Sequence, residues 1–167
     1  MKRILGLVMA CLLCLSFASC ARTYKGTDEL MERARKEIPV ADSDTIEIQF
    51  AGMSAAGDRA IAWFISGSEY QAHYYLPMEV TVKGDGYTFV RTYKPMTDIC
   101  PDVAIVNWNG GYAFLVNNPE VAAVRLTLEN GEVSEEVIPG DRIPYAFCVP
   151  SIPAEYVFID AEGNEVQ

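Results

Sequence analysis

Val103-Ala-Ile-Val-Asn-Trp108-Asn109-Gly110-Gly111-Tyr112-Ala-Phe-Leu-Val116 is the stretch that decides the fold. Two runs rich in β-branched and aromatic residues flank an Asn-Gly pair, which supplies the two positive φ angles of a tight hairpin turn. The stretch therefore reads as two antiparallel strands, 103–108 and 112–116, joined by that turn. The same pattern recurs outward. Val124-Arg-Leu-Thr-Leu128 meets Glu132–Ile138 across a second Asn-Gly, at Asn130-Gly131. Lys83-Gly-Asp-Gly86 joins a run over 79–83 to Tyr87–Tyr93, and a separate strand is expected over Tyr70–Leu76. Thr45-Ile-Glu-Ile-Gln-Phe50 alternates, with Ile46, Ile48 and Phe50 to one side. Ala60-Ile-Ala-Trp-Phe-Ile65 is apolar throughout, as expected of a central strand covered on both faces. Pro144–Val149 and Glu155–Asp160 complete the set, and Glu162-Gly-Asn-Glu165 turns into the tail. Pro39, Pro77, Pro95 and Pro150 are expected at element ends, where a missing N–H breaks no ladder.

Short strands separated by Gly, Asn and Pro indicate a sandwich or barrel. The expected fold is mainly β: an antiparallel β-sandwich, immunoglobulin-like or similar, over 44–160. One short N-terminal α-helix, over 27–38, completes a single globular domain of residues 27–167. In that helix Thr27 is the candidate cap, Asp28 and Glu29 fill the first turn, and Arg35 and Lys36 fill the last, matching the helix dipole. Glu29 with Arg33 and Glu32 with Lys36 are expected i,i+4 pairs. Leu30, Ala34 and Ile38 share one face and Pro39 ends the helix.

Ahead of this body, Lys2 and Arg3 precede an uncharged apolar run from Ile4 to Phe17, and Ala18-Ser19 lead to Cys20. A cationic start, a short apolar stretch and a small-residue exit define a secretory signal peptide over 1–19. The run is shorter than the roughly 20 residues a spanning helix needs. Phe17-Ala18-Ser19-Cys20 resembles the lipobox of bacterial lipoprotein precursors, with Phe17 standing where that family usually has an aliphatic residue. The resemblance implies that Cys20 becomes the N-terminus and carries a diacylglyceryl thioether of palmitate-type chains. Two acyl chains are enough for stable anchoring. Residues 20–26 are then the lipidated cysteine and a polar tether. The expected location is the cell envelope, membrane-anchored and facing outside the cytoplasm. Ala21, rather than an aspartate, after the cysteine would by the same resemblance suit outer-membrane sorting. Ordinary cleavage after Cys20 or Ala21 would instead release a soluble protein. At the other end, Phe158-Ile-Asp-Ala-Glu-Gly-Asn164 resembles the closing strands of immunoglobulin-like modules of bacterial envelope proteins.

The 167 residues carry 13 Lys and Arg against 23 Asp and Glu, a net charge of −10. Lys2 and Arg3 leave with the signal, so the mature chain holds 11 against 23, or −12. Such acidity argues against nucleic acid as a partner, because phosphate binding relies on Lys and Arg. Cys11 and Cys14 also leave with the signal. Cys100 and Cys148 remain as a pair that an oxidising compartment permits to bridge. Cys148, within Tyr145-Ala-Phe-Cys-Val, equally suits a buried free thiol.

No catalytic, metal or cofactor site is expected. His73 is the only histidine; it stands with no nucleophile-elbow motif and is read as a sheet-face or loop residue. Asp42 with Asp44, Asp98 with Asp102, and Asp160 with Glu162 could suggest calcium. None continues into the set spacing of an EF-hand loop, and turn acids explain each. The candidate contact patch is Asn107, Trp108, Asn109 and Tyr112, since aromatic rows on a sheet can meet a sugar or a partner protein. The expected function is that of a surface binding or interaction module, with a protein or glycan partner at the cell surface. The alternatives are a small-ligand or glycan binder using an aromatic sheet face, and a secreted hydrolase with unidentified acids.

Overall fold

The structure is a computed structural model that describes residues 22–39, 42–67, 74–97 and 101–166. The signal over 1–19, Cys20, His73, Asp98 and Cys100 lie outside the described residues. Within them the chain folds as a mainly β, antiparallel sandwich with one helix near its start. The hairpin read over 103–116 is β6 (Val103–Trp108) with β7 (Gly111–Val116). Asn109 and Gly110 take φ of 56° and 81° between the paired Trp108 and Gly111, the double positive φ of a two-residue type I′ turn. Gly111 is needed for another reason: a Cβ there would lie 2.0 Å from the Val149 carbonyl oxygen. The second Asn-Gly joins β8 (Ala123–Thr127) to β9 (Val133–Val137).

Three sheets form. β2 (Ile48–Ala56), β3 (Arg59–Ser66), β4 (Tyr74–Lys83) and β5 (Gly86–Thr92) build a five-stranded sheet with β1 (Thr23–Lys25), in the order β1-β5-β4-β3-β2. β10 (Tyr145–Val149) joins the first hairpin as β10-β7-β6, and β11 (Glu155–Ile159) joins the second as β11-β8-β9. Alternation along β3 shows how they stack. Ala60, Ala62 and Phe64 face α1 (Gly26–Arg35) and meet Leu30 and Ala34. Ile61, Trp63 and Ile65 face the middle sheet and meet Ala104, Val106, Ala113 and Leu115. On the middle sheet's far side Phe114, Val116 and Phe147 meet Val124 and Leu126 of the third. The order is helix, sheet, sheet, sheet, with three apolar interfaces. The uniformly apolar β3 is central because both its faces are covered.

Several local expectations change. Thr23–Lys25 is a strand paired with β5, and Tyr24 is buried, so the polar stretch before the helix is not all tether. The helix begins at Gly26, one residue before Thr27; its start is completed by Glu29, whose carboxylate accepts from the Lys25 N–H at 2.9 Å. Arg33 pairs with Glu37 and Arg35 with Glu32, in place of the pairs read from the sequence. Pro77 sits inside β4, which runs unbroken through 74–83. Its carbonyl accepts from Tyr93 N at 3.0 Å, beyond the last paired residue of β5, so the missing N–H faces the same spent end of the ladder.

Candidate functional site

Two sheets expose neighbouring edges. β6 closes one side of the middle sheet and β11 one side of the third. Between them, bounded by the chain leaving β5, lies a groove of 630 Å³. Val103 and Ile105 of β6 line it together with Tyr156 and Phe158 of β11, Met96 and Lys94. The alternation of β6 puts Val103 and Ile105 on the side of the third sheet, while Ala104 and Val106 fill the interface beneath the five-stranded sheet. An edge strand carries backbone N–H and C=O groups free to pair with another chain. Tyr156 is 38% exposed and makes edge contacts with Tyr112 and Phe114, ring centroids 6.0 and 5.8 Å apart. Among the described residues, the groove thus offers apolar side-chain seats beside a ladder edge that no other strand pairs, with one cation, Lys94, at its rim.

A second cluster lies at the tip of the first hairpin. Glu79 of β4 is fully buried yet charged. Arg91 Nε donates to its Oε2 at 2.7 Å, Arg59 Nε to its Oε1 at 3.1 Å, and the Tyr93 hydroxyl to Oε2 at 3.3 Å. A register shift in β5 leaves Val90 as an extra residue and aims Arg91 at the carboxylate. Burial raises the carboxyl pKa, but the hydrogen bonds and charges of the two guanidiniums outweigh it and hold it below the ordinary value. The Trp108 indole N–H is buried without a partner in hydrogen-bond range, yet near enough for its dipole to favour the same charge. Burial pushes Tyr93 up, and pushes Tyr75 to about 12. The Cys148 thiol is raised by burial and by the Glu136 charge, and it donates to the Ala55 carbonyl at 3.1 Å. Each group is driven toward its inert form near neutrality: a locked carboxylate, neutral phenols and a protonated thiol. A thiol is a poor nucleophile.

The patch read from sequence is divided by the sheet. Trp108 is 2% exposed and faces the five-stranded sheet. Tyr112 faces the third sheet, and Asn107 and Asn109 are exposed at the strand end and turn. The patch is shared between the two clusters: Asn109 accepts from Arg59 at 3.4 Å and Trp108 lies by Glu79, while Tyr112 meets Tyr156 of the groove. Cys148 is a free thiol on β10. Among the described residues no three His, Cys, Asp or Glu side chains gather to hold a metal ion. Asp160 instead accepts from the Glu162 and Asn164 backbone N–H groups, at 3.0 and 2.7 Å, closing the last turn. Sequence reading missed Glu79. Its signal was an acid between Met78 and Val80 in an apolar strand, with Arg91 across the Lys83–Gly86 turn.

Compared with known proteins, the chain matches no protein-family model, no curated protein and no solved structure. Among the described residues no helix is long and apolar enough to cross a membrane.

Proposed function

We propose that this protein is a bacterial lipoprotein of the cell envelope, anchored through Cys20 outside the cytoplasm, whose work is binding. The observation that carries the binding half is the groove between β6 and β11. Its occupant is an extended polypeptide segment of a partner. The open edge of β6 supplies main-chain pairing, and Val103, Ile105, Met96 and Phe158 seat alternate apolar side chains, the recognition mode of strand addition. The anchoring half is supported by Phe17-Ala18-Ser19-Cys20 and the cationic, apolar stretch before it.

Two measurements test the halves separately. Intact mass of the protein extracted from its native membrane should show a diacyl-modified Cys20, lost in Cys20→Ser; an unmodified, released chain removes the anchor. Selection from a displayed library of random twelve-residue peptides should yield sequences with alternating apolar residues, whose binding falls at least tenfold in Ile105→Glu. Peptides that bind Ile105→Glu equally well, or capture of glycans alone on an array, would remove the groove reading.

A further inference from the structure

The start of β1 fixes how an anchored molecule can sit. Thr23 pairs with Thr88 and Lys25 with Gly86, so the chain enters the sheet on the Phe89–Thr92 side of β5, away from the Lys83–Gly86 turn. Only Ala21 and Arg22 separate Cys20 from Thr23, and three residues reach about 11 Å at full extension. The edge of the five-stranded sheet beside Thr88 must then lie close to whatever holds Cys20.

The half of the chain that contains that edge is less acidic than the other half. Residues 22–97 hold nine Lys and Arg against eleven Asp and Glu, net −2; residues 98–167 hold two against twelve, net −10. At the entry side, the Arg22 guanidinium lies 5.1 Å from the Tyr24 ring centre and that of Arg33 4.8 Å from the Phe89 ring centre. Arg91 is more than half exposed despite its bond to Glu79, and Val90, the extra residue of the β5 bulge, is 47% exposed. Cations with an exposed apolar residue suit the headgroup level of an anionic membrane, whose attraction acts within about a Debye length, roughly 8 Å at physiological salt. The acidic sheets would be repelled by the same surface.

We infer that the protein rests on anionic lipid by the β1–β5 edge, with Arg22, Val90 and Arg91 at headgroup level and the sheet of β8, β9 and β11 directed outward. This rests on the Cys20 anchor proposed above.

The test uses the full, lipidated protein in phosphatidylglycerol vesicles carrying a headgroup-attached quencher. Native Trp63 and Trp108 are buried and give a constant background. Val90→Trp fluorescence should be quenched at least threefold more than that of Val137→Trp, on outer strand β9, and Arg22→Glu in the Val90→Trp background should reduce that difference. In the unsubstituted protein, amides of β1 and β5 should exchange more slowly on vesicles than in detergent. Equal quenching at both positions with the diacyl mass present overturns the orientation and leaves the anchor standing. A missing diacyl mass overturns both.

Discussion

The helix-covered sheet and the two outer sheets are built from one alphabet of short antiparallel strands, yet they solve the interior differently. In the first, β3 is buried along almost its whole length and β4 through its middle, and the layer encloses polar groups that must be satisfied: Glu79, Ser54 and Ser66. In the second, the interior between the middle and third sheets is apolar and aromatic, with the Phe114 and Phe147 rings stacked at 4.8 Å. Its outer face is acidic, and strand β9 is almost wholly exposed. Polar specification holds the inner layers, and shape and surface charge distinguish the outer ones. Among the polar contacts that join the two, the most buried runs from Trp63 Nε1, which donates to Ser54 Oγ at 2.8 Å, through that hydroxyl, which donates to the Phe114 carbonyl at 3.1 Å.

If that junction makes the two regions one cooperative unit, truncating either side should lower the same transition. Trp63→Ala empties a fully buried site between the first two sheets and should lose about 3–5 kcal/mol. Phe114→Ala, between the last two, should lose a similar amount, about 3–5 kcal/mol. Urea unfolding followed by near-ultraviolet and far-ultraviolet circular dichroism should show one coincident transition for each variant. Separate transitions, with Phe114→Ala lowering only one, would make the outer sheets an independent unit.

How legible this was depended on the range of the interaction. The Asn-Gly hairpins could be read because turn chemistry is local: Asn109 and Gly110 determine the pairing of their flanking strands. β3 could be read because a strand covered on both faces has no polar face to show. The three-residue β1 could not, since it is shorter than the roughly four to eight residues over which alternation can be read. The divided patch failed for a related reason. Trp108 and Tyr112 are close in sequence, but strand alternation and the hairpin register send them to opposite faces. The groove joins β6, β11 and the chain after β5, whose juxtaposition is set by sheet stacking.

The buried carboxylate offers the next test of the contrast. Glu79→Gln keeps the shape but gives up charge-assisted bonds to two guanidiniums that remain in contact with water, and is expected to lose about 1.5–3 kcal/mol. The sign with pH follows from the direction of the shift. Glu79 has a folded pKa below its unfolded value, so its contribution is fully present above about 4.3, the ordinary glutamate value. It is lost as pH falls through the lower folded value. Stability measured from neutrality downward should therefore fall more steeply in the native protein below that point than in Glu79→Gln. Parallel curves would mean that the arginines, largely in water, never depended on the carboxylate.

The smallest expected effect lies on the outer sheet. Arg125 Nε meets Glu135 Oε1 at 2.7 Å, but both side chains are more than 40% exposed. An exposed pair of this kind contributes about 0.2–1 kcal/mol, because water screens the attraction and two long side chains must be held still. Arg125 is also one of only two cations in residues 98–167, against twelve acids. Removing it raises the self-repulsion of the whole acidic face as well as breaking one bond. Arg125→Ala should thus lose slightly more stability at 10 mM salt than Glu135→Ala, which removes a repelling charge along with the pair. At 0.5 M salt, where the Debye length is only a few ångströms, the two variants should converge. Convergence would assign the outer face's sensitivity to its accumulated charge; a difference that persists at high salt would assign it to the Arg125 stem packed on the sheet.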